Sequence, residues 1–193
     1  MKWLNIIRKS EIEDVDISEV VENDFFDIRY RLQMLKVDNP DFDDKFCSCI
    51  LKMLEVSRAN FKDFEVFWVH GDFTPTNMIF NAKSLYVLDL CCNKTGSYYQ
   101  DIARFWQHLE NIKTTNMFRG HIIDELKEAF LSGSNKKVDI NYPEFVFHRI
   151  KCVITDLSCY KELLKKVPWF RKIHKHYYHS QLKWLKETVE HYR

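Results

Sequence analysis

The scarcity of glycine constrains this chain more than any other feature. Its 193 residues include four glycines, Gly71, Gly96, Gly120 and Gly133, never closer together than 13 positions. Both common glycine-rich phosphate loops need several glycines within a few residues, so neither can form anywhere in this sequence. Any nucleotide bound here must be held without such a loop. The chain is otherwise well supplied for folding: 46% of it is hydrophobic and 15% aromatic, with a net charge of +1. That is enough apolar material for a real core, and global disorder is excluded because it requires few aromatics and a large net charge.

The near-neutral total hides two poles. Residues 1–44 carry twelve acidic and six basic side chains, a sum of −6, and residues 161–193 carry nine Lys and Arg against three Glu, a sum of +6. Such poles attract each other within a fold, steer charged partners, or form solvated helix faces. The six cysteines, Cys47, Cys49, Cys91, Cys92, Cys152 and Cys159, include no C-x-x-C pair, and several lie in apolar runs. That usage fits a reducing compartment and argues against a zinc site. The first nine residues are too short and too interrupted for a signal segment, and no window reaches the length of a membrane span. A cytoplasmic protein without membrane contact is expected.

Periodicity divides the chain into helices around a short β element. Val20, Val21, Ile28, Leu32 and Leu35 follow a helical period, joined loosely by Ile17. After Pro40, Phe42, Phe46, Cys49, Ile50, Met53 and Leu54 trace one face of a firmer helix. Val66 to Val69 then reads as a strand, and Asn77–Phe80 with Leu85–Leu88 reads as a hairpin around the turn 81–84. From Gln100 onward every segment is helical in pattern. Its stripes are Ile102, Phe105, Trp106 and Leu109, then Ile122, Ile123, Leu126 and Phe130, then Val146 to Leu157 after Pro143. A break at Pro168 leads to a last helix carrying Tyr178, Leu182, Leu185 and Val189. The expected organisation is one domain over 1–193, with a motif core at about 60–110 and a helical remainder at 111–193.

The chemistry lies between His70 and Asp101. The segment His70-Gly71-Asp72-Phe73-Thr74-Pro75-Thr76-Asn77 places Asp72 and Asn77 as D-x-x-x-x-N, and Asp89 follows the return strand of the hairpin. Phosphoryl transfer from a nucleotide uses such parts. One carboxylate accepts the proton of the attacking hydroxyl, while an amide oxygen and a second carboxylate hold magnesium against the phosphates. Each residue also has a plainer role. Asp72 and Asn77 suit an ordinary turn, His70 suits a ring that fixes a backbone carbonyl, and Asp101 suits a helix N-cap.

At these residues the sequence resembles the aminoglycoside phosphotransferase and choline kinase-like family, which shares the protein-kinase fold. The family's H-G-D-x-x-x-x-N loop is matched at every fixed position by His70 through Asn77. Its metal aspartate corresponds to Asp89, and its D-[IL]-A element after a glycine-containing loop to Gly96 and Asp101-Ile102-Ala103. The resemblance implies a mainly α large lobe with a small β-hairpin. It implies Asp72 as the catalytic base, with Asn77 and Asp89 as the magnesium and nucleotide ligands, and His70 and Asp101 as supports of the loop. Its cofactors are Mg2+ with ATP or GTP, and its substrate is the hydroxyl of a small molecule. Two departures stand out. Cys91 occupies a position where many members carry an acidic residue or glycine, and the 69 residues before His70 are acidic, helical in pattern and glycine-free. The β-rich lobe whose strand lysine contacts the phosphates is therefore expected from elsewhere, such as a second chain or an upstream reading frame.

The competing readings are a degenerate kinase lobe kept for ligand or partner binding, or a gene remnant, and a metal-dependent phosphatase built on His70, Asp72, Asn77 and Asp89. The phosphatase would need more clustered His and Asp ligands. The stretch Lys172 to His179 offers basic and aromatic residues to nucleic acid, but a surface helix with a buried aromatic side explains it better. In the family this region helps to form the substrate site, where positive charge would suit an acidic or phosphorylated substrate.

Overall fold

In a computed structural model, residues 4, 6, 8, 16–37, 39–61, 65–81, 83–90, 95–114, 119–134, 136–166 and 170–192 are described, with their side chains except at 17, 164–166 and 170–174. The elements in chain order are α1 (Ile17–Lys36), α2 (Asp44–Ala59), β1 (Val66–Trp68), a 3-10 turn (Pro75–Asn77), β2 (Met78–Phe80), β3 (Leu85–Val87), β4 (Thr95–Ser97), α3 (Tyr98–Lys113), α4 (Gly120–Ser132), α5 (Pro143–Lys166) and α6 (Phe170–His191). This is the mainly helical lobe with small antiparallel sheets that the resemblance implies.

Local chemistry sets the helix ends. Asp16 caps α1 by accepting the Ser18 N–H at 2.8 Å, and Asp43 caps α2 by accepting the Phe46 N–H at 2.7 Å. Phe42, expected on the apolar face of α2, stands just outside its cap, with its ring 5.6 Å from that of Phe46. The proposed break at Pro168 lies outside the described residues, as do Cys91 and Cys92.

Helix α5 is the axis of the lobe and packs against α1, α2, α3 and α6. One core joins Phe25, Ile28 and Leu32 of α1, Ile50 and Leu54 of α2, Ile150, Val153 and Leu157 of α5, and Leu185 of α6. A second gathers Leu4, Phe73, Tyr98, Ile102, Ala103 and Phe145 beneath the β element. The acidic and basic poles meet here. Lys186 of α6 pairs with Asp41 at 2.8 Å, and Lys161 of α5 donates to the Met34 carbonyl at 2.8 Å. Among the described residues no helix is long and apolar enough to cross a membrane.

Two details differ from the sequence reading. In α4, Ile122 and Leu126 are exposed, and the buried side carries Ile123 with Lys127, whose ammonium pairs with Glu110 and lies 4.8 Å from the centre of the Trp106 ring. The aliphatic stem of lysine can line a core when its charge finds a partner, so of the expected stripe Ile123 and Phe130 face the core while Ile122 and Leu126 do not. Gly96, expected in a loop, is in β4, where it stands opposite Phe67 in an antiparallel pairing of β1 with β4. The hairpin itself is as expected, with Met78 opposite Val87 and Phe80 opposite Leu85.

Candidate active site

The end of β1 delivers the chain into a loop that Asp101 holds from below. Asp101 is fully buried in the first turn of α3, and its two carboxylate oxygens accept the backbone N–H groups of His70 at 2.8 Å and Gly71 at 2.9 Å. It is not the N-cap of that helix. Ser97 is, accepting the Tyr99 N–H at 3.1 Å, which leaves Asp101 one turn further in and free to support the loop. Burial raises the Asp101 carboxyl above its ordinary range, against the opposing effect of the two N–H donors and the nearby charge of Arg8.

His70 works as a brace. Its Nε2 lies 2.7 Å from the Leu88 carbonyl, and its Nδ1 accepts the Asp72 N–H at 3.3 Å. Those partners assign the neutral tautomer with hydrogen on Nε2. The ring thus ties the loop to the residue before Asp89. Gly71 has φ 84°, in the left-handed region that a side chain disfavours, so the turn after His70 needs glycine. Phe73, almost fully buried, packs edge-on to His70 at 5.7 Å and anchors the loop in the second core.

Asp72 emerges from this frame with its side chain 52% exposed. Its Oδ1 accepts Arg104 Nε at 2.8 Å, and its Oδ2 accepts Asn77 Nδ2 at 3.1 Å. Partial burial pushes the carboxyl up, but the Arg104 charge and hydrogen bond, with that from Asn77, outweigh it and hold the group below the usual carboxylate range. Asn77 closes the 3-10 turn, and its Nδ2 also donates to the Asp72 carbonyl at 2.9 Å. Its amide nitrogen is therefore committed, and no described residue donates to its Oδ1. The Asn77 carbonyl accepts the Leu88 N–H at 2.8 Å, which joins the loop to the return strand of the hairpin. Asp89 follows, exposed and with φ 56°, a left-handed conformation that aspartate tolerates better than most residues. The free oxygens of Asn77 and Asp89 are hard ligands of the type magnesium takes.

Sequence reasoning missed Arg104. From α3 it joins Asp72 to Asp156 of α5, which it meets through NH1 at 2.6 Å. Asp156 also accepts from Asn111 at 2.8 Å and from Gln181 at 3.3 Å. The two carboxylates raise the pKa of the guanidinium against the effect of its burial. The only available signal was position, one helical turn beyond Asp101 on the same face. Beside this pair lies a cavity of about 320 Å³, bounded by α1, the Gly71-Asp72 turn, α3 and α5. Among the described residues its positive charge comes from Arg31 of α1, Arg104 of α3 and Lys151 of α5.

Asp72, Asn77, His70 and Asp101 thus form one hydrogen-bonded unit, with Asp89 at its edge. No curated protein and no solved structure matches the chain. The family model of the phosphotransferase enzyme family matches residues 15–135, more than half of the chain and the whole of the loop, hairpin and supporting helix. The chain is a member of the phosphotransferase enzyme family.

Proposed function

We propose that this lobe carries the machinery that moves the γ-phosphate of ATP or GTP to the hydroxyl of a small molecule. The observation that carries the reading is the Asp72 carboxylate, held between Arg104 and Asn77 at a 320 Å³ cavity, with no described residue donating to the Asn77 amide oxygen. Asp72 is ionised at neutral pH, and its two oxygens retain lone pairs for the substrate O–H. It orients that hydroxyl and takes its proton as the phosphorus–oxygen bond forms. Asn77 Oδ1 and the Asp89 carboxylate hold magnesium, which neutralises phosphate charge when bound. His70 and Asp101 keep Asp72 in place, and positioning of this kind supplies most of the catalysis in phosphoryl transfer.

The exposed hairpin supports a further part of the reading. Ile79, Phe80, Leu85, Tyr86, Leu88 and Leu90 are all exposed on the hairpin and the segment that carries Asp89, with Ile79 opposite Tyr86 and Phe80 opposite Leu85. A β-rich lobe supplied by a partner chain would cover that surface and provide the cationic contacts to the phosphates. The free cysteines fit a cytoplasmic setting.

The test is magnesium-dependent nucleotide binding by the full chain, followed by 31P NMR detection of transfer. Asp89→Ala should abolish the magnesium dependence, and Asp72→Asn should lower transfer by at least ~100-fold while leaving nucleotide binding intact. Failure to bind nucleotide at millimolar concentration would overturn the reading that this chain works alone. The apolar hairpin would then favour the second reading, a lobe that binds a partner.

A further inference from the structure

The cavity beside Asp72 has a composition that selects its occupant. Its charged lining consists of Arg31, Arg104 and Lys151 against Asp27 and Asp72, its one described ring is the imidazole of His148, and no Phe, Tyr or Trp is among its described lining residues. We propose that it takes a small hydroxyl compound bearing a carboxylate or a phosphate ester, with the anion on Arg31 and Lys151 and the hydroxyl at Asp72. The inference rests on the phosphotransferase reading for the role of Asp72, and on the cavity alone for the charge of the ligand.

Hydrogen-bond bookkeeping decides the sign. Both oxygens of Asp27 accept from Arg31 Nε, at 2.9 and 3.1 Å, and both oxygens of Asp72 accept from Arg104 and Asn77. Each carboxylate thus already faces a guanidinium, and the cations, though paired, keep N–H donors that no described residue uses. Arg31 donates through NH1 to Ser158 at 3.1 Å, and its NH2 meets no described residue. Lys151 donates one hydrogen to Asp24, leaving two of its three. Arg104 likewise uses Nε and NH1 and retains NH2. The cavity therefore offers surplus donors on positive groups, and its carboxylates are already neutralised by neighbours.

That surplus excludes the other classes of hydroxyl substrate. A quaternary ammonium is held by the faces of Trp, Tyr or Phe, and none of these is among the described lining residues. A polycation would meet three cations against two carboxylates that each already pair with an arginine. A neutral polyol would leave donors of Arg31 and Lys151 facing it without an anionic partner, whereas a carboxylate or phosphate accepts from them in charge-assisted bonds. The volume of about 320 Å³ stands at the small end for ligand cavities, so the compound is small.

The test titrates the full chain, without nucleotide, with glycerate, glycerol 3-phosphate, glycerol and choline, reading binding by ligand-observed NMR. Transfer from magnesium ATP to each is measured separately by 31P NMR. At least one of the two acids should bind about tenfold more tightly than glycerol or choline, and Arg31→Gln should remove most of that preference. The better of the two acids identifies carboxylate or phosphate as the recognised group. Arg31 is partly exposed in a local pair with Asp27, so this variant should fold. A measurement on the unaltered chain supports it independently, because binding of the acids, but not of glycerol, should weaken as salt rises. Anion binding without any transfer would keep the cavity assignment and remove the reading that this chain transfers phosphate alone. Transfer to glycerol or choline in preference to the acids would keep that reading and overturn the assignment, as would acid binding insensitive to both salt and Arg31→Gln, or no binding of either acid at tens of millimolar.

Discussion

Arg104 Nε donates to Asp72 Oδ1 at 2.8 Å, so the residue at the centre of the candidate chemistry is positioned by a helix one strand and one hairpin away in sequence. The same guanidinium reaches Asp156, and the two contacts together require a planar fork. Lysine at this position can satisfy one carboxylate at a time. Arg104→Lys should therefore lower transfer roughly 10- to 100-fold with little change in nucleotide affinity. Arg104→Met should in addition destabilise the fold by about 3 kcal/mol, because Asp156 is left buried without its cation. It should also move the acid limb of the pH–rate profile upward, as Asp72 loses the charge that holds its pKa down. An unmoved acid limb in a folded Met variant would show that Arg104 does not act through Asp72.

Gly71 provides a second handle on the same loop. At φ 84° a Cβ costs about 1–2 kcal/mol. Gly71→Ala should show that loss in urea denaturation, and a larger proportional loss in transfer, since the strain is relieved by moving Asp72.

Gly96→Ala tests the wall of the cavity. A Cβ there would lie 2.0 Å from Gln100 Oε1 and 3.2 Å from Val69 Cγ2. The end of the Gln100 side chain can swing away and Val69 needs to yield only slightly, so the cost in stability should be about 1 kcal/mol. Gln100 lines the cavity, however, and its displacement should change affinity for the hydroxyl compound by more than the stability loss suggests.

The cap of α3 carries a hidden pH balance. Ser97 Oγ lies 2.7 Å from His148 Nε2 and also hydrogen-bonds Glu144. Burial lowers the His148 pKa from 6.5 to about 4, outweighing the nearby Asp24, and raises that of Glu144 from 4.5 to about 7. Between pH 6.5 and 4 the unfolded chain holds a proton that folded His148 does not, so stability from this group falls as pH drops. Folded Glu144 holds a proton between pH 4.5 and 7 that the unfolded chain does not, so its contribution falls as pH rises. The two cancel where they overlap. Relative to the unaltered chain, His148→Gln should make stability decline with pH across that window, and Glu144→Gln should make it climb, each by about 1 kcal/mol per pH unit. Parallel curves in urea denaturation would show that the groups are not buried as described.

Much of this was legible in the chain. The helical stripes of α1, α2, α5 and α6 located their buried faces because apolar spacing at 3.6 residues leaves little choice of side. The hairpin followed from alternation around a polar turn. The loop from His70 to Asn77, with Asp89 and Asp101, was visible because a phosphoryl-transfer site draws its parts from fixed local spacings. Asp101 was expected to support that loop, and only its plainer role, the N-cap, falls to Ser97. The misses share a different cause. Lys127 was overlooked in the core of α4 because its burial depends on Glu110 and Trp106, contributed by α3. Gly96 was read as loop because a three-residue strand acquires its identity from pairing with Phe67.

The sequence by itself determined the kind of lobe and the family's loop, since both are written in short-range spacing. It did not determine the hand that holds Asp72 or the charge of the cavity beside it. Arg31, Arg104 and Lys151 are separated by 73 and 47 positions, and as isolated residues each is an ordinary helix-surface cation. Only the packing of α1 and α3 against α5 brings them around one space, and only there do their committed and spare N–H groups acquire a meaning.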